Sequence, residues 1–430
     1  MKIIKKLRIK NYRGIKDLEL DTNSINVIIG PNNTGKSAIL EAIGLFLTYG
    51  NNFNDSTEEN VLEYMFKWKK YDPSYLIRVS DSSAEITAEI GETRHRLVIE
   101  YLQRGFPEDE RKGAILQHLE KKVDDLMKDP RFVMMTMDDK IKDNRLTYKE
   151  MRNLWKIIRL EKDYIIDKKK LTEGQRTYIE NIRNELLLSV HDSPKLILSL
   201  YSKGDKIEGL CVYFPETFAG KIPELYILGR EVFYVIPFTK RRKIRNVFRT
   251  VKSINTVFIE KLYDQIIESG KSTLHDAEKM LMERVANVDK LVKTDKGIMI
   301  FTKDLDKPIP LSSMGDGFLS LLYITYLLAM GRNGVILLEE PESSLHPGYG
   351  NIVAEQLVHN LDKAQIFLTT HSIDLLESIL ENGEKYKKLK EINIIRLHYR
   401  ASSGIVLPEI LNGEEAKEEI DEIGTDLRYT

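Results

Sequence analysis

The chain has 430 residues, with 65 Lys and Arg against 66 Asp and Glu and a formal charge of −1. This length allows two or three domains, and the balanced charge gives no whole-molecule pull toward nucleic acid or membrane, so any such surface must be a local patch. A composition 42% apolar and 30% charged excludes a disordered chain, and the single cysteine, Cys211, excludes an internal disulfide framework or a multi-cysteine metal site.

Residues 3–20 alternate polar and apolar side chains around a turn at Gly14, which predicts a pair of strands with one wet face. The opening MKIIKKLRIK is too charged for a secretory leader. NVIIG at 26–30 is a short continuous apolar run, as in a fully buried strand, and Ile39, Leu40, Ile43, Phe46 and Leu47 then recur at helical spacing. Residues 75–102 alternate again around Gly91-Glu92 and extend the first sheet. Three helical patterns fill 107–190; two start on the capping-box spacings Thr147-x-x-Glu150 and Thr172-x-x-Gln175. Helices of that length make a lid or stub, not a long arm. Strands return at 195–238. Helices are expected over 246–292, followed by a strand at 297–302. The apolar run at 318–330 falls short of the roughly 20 residues a bilayer span needs, so a cytoplasmic chain without membrane partners is expected. Paired strands at 335–339 and 366–370 bracket a helix at 348–361, and a helix, the strand NIIRLHY and an acidic tail helix close the chain. The expected organisation is an N-terminal lobe over 1–104, a helical insertion over 105–190 and a C-terminal lobe over 191–430.

GPNNTGKS, Gly30 to Ser37, is the strongest chemical signal. It has the spacing of a phosphate-binding loop and lies between a buried strand and a helix. Its backbone N–H groups and the helix N-terminus suit a phosphate cluster, which assigns Gly30, Asn32, Asn33, Thr34, Gly35, Lys36, Ser37 and Ala38 to a nucleotide. Lys36 is expected to reach the β- and γ-phosphates, and Ser37 to place its hydroxyl on Mg²⁺. A strand ending on two adjacent carboxylates, Glu339 and Glu340, needs a cation to balance them. Glu339 fits a position on the metal, and Glu340 a position beyond it, where it orients and deprotonates an attacking water. Ser313 and Gly315, in LSSMGDG, stand at a second helix start suited to an anion; because the first loop already holds one phosphate cluster, this start is read either as serving a nucleotide on another subunit or as an ordinary N-cap. His371 follows a strand end in an open α/β sheet, where ligands bind.

GPNNTGKS, LSSMGDG, LLEEPESSLHP and TTHS stand in the order and spacing of an ABC-type ATPase, and with LRIKNYRGIKDLEL the chain resembles the SMC/RecF/OLD group of AAA-like ATPases. The resemblance covers about 1–104 and 191–430 and omits the helical insertion. It implies an α/β head of P-loop NTPase type, with a mixed or parallel core sheet flanked by helices, an N-terminal antiparallel subdomain, and ATP and Mg²⁺ as cofactors. It also implies a head-to-head homodimer with ATP at the interface, in which Ser313 and Gly315 of one subunit meet the γ-phosphate bound by Lys36 of the other. Ser343, Ser344 and His346 match the loop that crosses that interface. Arg13, in the opening stretch, is grouped with the nucleotide-binding residues, and Lys36, Glu340 and His371 with catalysis.

Three features depart from the pattern. Many members carry Asp where Glu339 stands, the Q-loop glutamine has only Gln103 and Gln117 as candidates, and the 59 residues after His371 are too few for a TOPRIM nuclease domain. The acidic run Glu414, Glu415, Glu418, Glu419, Asp421 and Glu422 reads as a solvated helix face. Lys240, Arg241, Arg242, Lys243 and Arg245 form the candidate DNA contact, with a solvated face as its alternative. The expected function is an ATPase acting on DNA or with a separately encoded nuclease or effector, in repair, DNA maintenance or antiviral defence. A slow nucleotide-gated scaffold for a protein effector is the alternative, and a transporter subunit a weaker one.

Overall fold

The computed structural model describes residues 2–48, 61, 64–69, 71–79, 81–103, 195–213, 234–237, 247–250, 256–285, 288–345, 347–400 and 405–423, with six further positions between 173 and 184. The chain divides into two compact units. The first holds residues 1–64, 78–97 and 243–430, and the second 65–77 and 98–242.

In the first unit, β1 (Ile4–Tyr12) and β2 (Ile15–Asp21) make the expected antiparallel pair around Gly14. β3 (Ile25–Ile29) follows, and β4 (Ser83–Ile90) joins the free edge of β1. Leu7 and Ile9 are buried while Lys6 is exposed, as the alternation requires. Lys6, Arg8 and Lys10 of β1 lie opposite Asp21, Glu19 and Asp17 of β2, and opposite Glu89, Thr87 and Glu85 of β4. Basic and acidic strands thus alternate, and the wet face neutralises itself by cross-strand pairing rather than forming a basic patch. β5 (Thr93–Leu102) turns back at Gly91, whose φ of +63° suits glycine.

A six-stranded sheet carries the rest of this unit. Its order is β16 (Ile405–Asn412), β15 (Ile392–Arg400), β3, β14 (Gln365–Thr369), β13 (Val335–Glu339) and β9 (Val247–Thr250). All pairings are parallel except β15 with β16. Every residue of β3, β13 and β14 is buried, which is why these strands read as unbroken apolar runs. The helices α1 (Lys36–Thr48), α4 (Asp316–Met330), α5 (Pro347–His359) and α6 (Ile373–Lys385) supply the cover. α4 is buried nearly all round, packed against α2 (Thr256–Ser269), α3 (Lys271–Arg284) and α5. A small antiparallel sheet of β10 (Val288–Thr294), β11 (Gly297–Thr302) and β12 (Ile309–Pro310) and the terminal helix α7 (Gly413–Ile423) complete the unit.

The second unit contains β6 (Lys195–Ser202), β7 (Asp205–Tyr213) and β8 (Tyr234–Pro237), paired antiparallel. The expected helical insertion and the basic cluster at 240–245 lie outside the described residues. The expectation of helices over 246–292 is corrected at both ends: 247–250 is an edge strand beside β13, and 288–294 pairs with β11. The first takes its backbone bonds from a strand far along the chain and the second from its hairpin neighbour across the turn at 295–296, rather than from a helical turn.

Candidate functional site: a phosphate cradle at the carboxyl ends of the parallel strands

Strand register builds the site. Glu339 pairs with Thr369, Thr369 with Ile28, and Ile28 with Ile395. Three buried parallel strands therefore end within one residue of a common level, and Gly30, Glu340 and Thr370 leave the sheet at that edge. In open α/β sheets this edge is where ligands bind.

Gly30 has φ of +139°, and a Cβ there would stand 2.7 Å from the Leu397 carbonyl oxygen. Neither the backbone nor the space admits a side chain. Gly35 has φ of +93° and sits against Ile15. Asn33, at φ of 65°, provides a further left-handed turn, and the Thr34 hydroxyl donates to the Pro31 carbonyl at 2.9 Å. Asn32 and Asn33 are exposed, Ser37 is half-buried and Ala38 is buried behind the loop. The Lys36 ammonium, buried, donates to the Gly30 and Pro31 carbonyls at 2.7 and 2.8 Å. The loop thus encircles a cation with its own carbonyls. Burial pushes the Lys36 pKa down, and the negative charge of Glu340 partly offsets this.

The two adjacent carboxylates have different partners. Glu339 is buried and accepts from the Tyr64 hydroxyl at 2.5 Å. Glu340 has left-handed backbone, φ 45° and ψ 59°, and Pro341 after it disfavours the right-handed alternative. Its N–H donates to the Thr369 carbonyl at 3.0 Å and lies 3.2 Å from the Thr369 hydroxyl. A non-glycine residue in this conformation costs about 1–3 kcal/mol and persists where the surroundings over-determine it. The Glu340 carboxylate stands 3.7 Å from His371 Nε2. Strand end, strained turn and different neighbours thus set the two adjacent acids apart.

Glu342 is a site residue that motif reading did not assign. Its Oε1 accepts from the Thr370 hydroxyl and the His371 backbone N–H, both at 2.8 Å, tying the turn after β13 to the loop after β14. Tyr64 also escaped: it sits in a stretch with no strong period, 275 residues from Glu339 in sequence. The third acid of EEPES was the only available sign of Glu342; Tyr64 had none.

The other expected residues have surroundings of their own. Arg13, at φ of 52°, forms an ion pair with Glu41, which is buried on α1, so in this structure it braces the loop's helix. Ser313 and Gly315 are exposed just before α4, where Gly315 is the N-terminal cap, while Leu311 and Phe318 on either side are buried. Ser343 is exposed in the turn after Glu340, and Gln103 is exposed beyond β5 in the second unit. Gln117, His346 and the Ser344 side chain lie outside what is described.

A metal suits the chemistry of the donors. Ser37 and Glu339 offer hard oxygen ligands, and among the described residues no cluster of three or more His, Cys, Asp or Glu could hold an ion unaided. Mg²⁺ is the ion that characteristically takes one or two protein oxygens and completes its shell with water and phosphate. Among the described residues no helix is long and apolar enough to cross a membrane.

A glycine loop around a buried lysine, opening from a parallel sheet beside a strand that ends in acids, defines a P-loop nucleotide-binding head. The family model described as "AAA ATPase domain" matches residues 1–376, and the chain belongs to that family. It is 30% identical over 117 residues to the uncharacterized protein MJECL11 of Methanocaldococcus jannaschii, covering 27% of this chain and 99% of that one. It is 42% identical over 65 residues to the DNA replication and repair protein RecF of Psychromonas ingrahamii, covering 15% of this chain and 18% of RecF. Among solved structures, an Smc head bound to the C-terminal winged-helix domain of ScpA aligns over 96% of this chain and 99% of its own, with a TM-score of 0.45 and 11% identity.

Proposed function

We propose that the chain binds and hydrolyses ATP, with the cradle at 30–37 holding the phosphates. The observation that carries this reading is the common level of the three strand ends, which gathers Lys36, Glu339, Glu340 and His371 at one edge. Binding trades the two carbonyls now around Lys36 for phosphate oxygens, which form stronger, charge-assisted bonds. Glu340 holds the attacking water and takes its proton, and His371 beside it steadies the carboxylate and the terminal phosphate. Ser37 and Glu339 would hold Mg²⁺, which would supply charge neutralisation between the phosphates.

The active form is a head-to-head dimer in which Ser313 and Gly315 reach the nucleotide of a second copy; their exposure between buried neighbours supports this. Action on DNA or with a DNA-processing partner is favoured by the RecF likeness. The test is ATP turnover and ATP-dependent association of wild type and Glu340→Gln. Slow or absent turnover in the variant, with a dimer trapped by ATP, supports the reading. Equal rates in both proteins, or a monomer throughout, overturn it.

A further inference from the structure

Glu339 carries one methylene more than an aspartate, and with it one more rotatable bond that must be frozen before the carboxylate can serve a metal demanding near-ideal octahedral geometry. The Tyr64 hydroxyl donates to Glu339 Oε2 at 2.5 Å, a short bond of the kind a hydroxyl makes to an ionised acid. Tyr64 opens a π-helical turn, Tyr64–Trp68, an irregularity that recurs at functional sites. The phenol is half-buried, and its acceptor is buried at the end of a fully buried strand.

We propose that Tyr64 is a positioning residue for the metal: it fixes the Glu339 carboxylate through Oε2 and so allows a glutamate to serve where a shorter acid would need no such hold. This rests on the reading of Ser37 and Glu339 as the metal-holding pair. It assigns a task to a segment that lies between the cradle helix and β4 and that no motif marks. Hydrogen bonds behind metal-holding carboxylates orient them and tune their basicity, and losing one typically weakens metal affinity about 10–100-fold.

The experiment uses the full chain with a non-hydrolysable ATP analogue and Mn²⁺ as the probe, read by electron paramagnetic resonance, together with fluorescent-nucleotide binding in EDTA. Tyr64→Phe keeps the ring and removes the donor. It is expected to weaken Mn²⁺ about tenfold or more while metal-free nucleotide binding stays within about twofold, which also reports an intact cradle. Glu339→Asp withdraws the carboxylate from the phenol, so adding Tyr64→Phe to that background is expected to change Mn²⁺ affinity less than about twofold. A merely structural tyrosine would give the same loss in both backgrounds. Wild-type Mn²⁺ affinity in Tyr64→Phe, or equal losses in both backgrounds, overturns the proposal; if Glu339→Ala still abolishes Mn²⁺ binding in that case, the metal assignment survives it. Wild type that binds no nucleotide overturns both.

Discussion

The two ends of the parallel sheet are built to opposite rules. At the amino end, amide side chains close every gap. Gln365, fully buried at the start of β14, accepts from the Ile3 and Ile4 N–H groups at 3.0 and 2.7 Å and donates to the Ile4 and Asn23 carbonyls, both at 2.9 Å. Asn26 of β3 accepts from Asn23 N–H and donates to the Asn23 and Ile366 carbonyls, and Asn393 of β15 donates to the Asp21 carbonyl. These groups are neutral and bonded. At the carboxyl end stand a buried cation and two adjacent acids, one of them with left-handed backbone. One end spends its polar groups on holding strands together, while the other leaves charge and strain where a ligand can resolve them. Stability and chemistry are thereby separated by the length of a five-residue strand.

That separation can be broken residue by residue. The largest effect is expected at Glu340: Glu340→Gln lowers turnover about 10²–10⁴-fold in a steady-state ATPase assay, while the thermal midpoint shifts little because repulsion from Glu339 and attraction to buried Lys36 are lost together. Gln365→Ala does the reverse. Stranding buried backbone groups costs about 2–4 kcal/mol in urea unfolding, with turnover per folded molecule within about twofold.

The smallest effect concerns neither end. Glu278 on α3 has a buried Oε1 without a hydrogen-bond partner, and burial pushes its pKa up from 4.5 to about 7, partly offset by Lys290; Tyr263 and Tyr326 carry raised pKa values partly through its charge. A carboxyl with a raised folded pKa keeps its proton longer in the fold than in the unfolded chain. Its contribution is intact below about pH 4.5 and is lost as pH climbs to about 7. Glu278→Gln is expected to flatten that window, matching wild type near pH 4.5 and exceeding it by about 1 kcal/mol at pH 8, after discounting the half-exposed side chain for solvent screening. Urea midpoints across pH check it.

What the sequence disclosed follows the same division. The cradle was legible because strand, glycine loop and helix are consecutive and each imposes a local pattern. The paired acids stood out because unbroken apolar runs end on them. Gln365 was silent because the groups it bonds on Ile4 lie 361 residues away. β16 was missed because Pro408 interrupts its pattern, yet as an outer strand pairing only with β15 it tolerates a residue without an N–H. β9 was hidden beside a run of basic residues whose periodicity gave no strand. Local grammar carries the chemistry here, and long-range bonding carries the frame.

The contact between Gly30 and Leu397 has a consequence for how the protein is made. One wall of the cradle belongs to β15, far along the chain from the glycine loop, and β3 is flanked on its other side by β14, which also follows the loop at a distance. A nascent chain still awaiting Leu397 has its glycine loop but not the walls that shape it. The motif is thus present in the chain well before the pocket it belongs to, and long-range strand pairing rather than the loop itself completes that pocket.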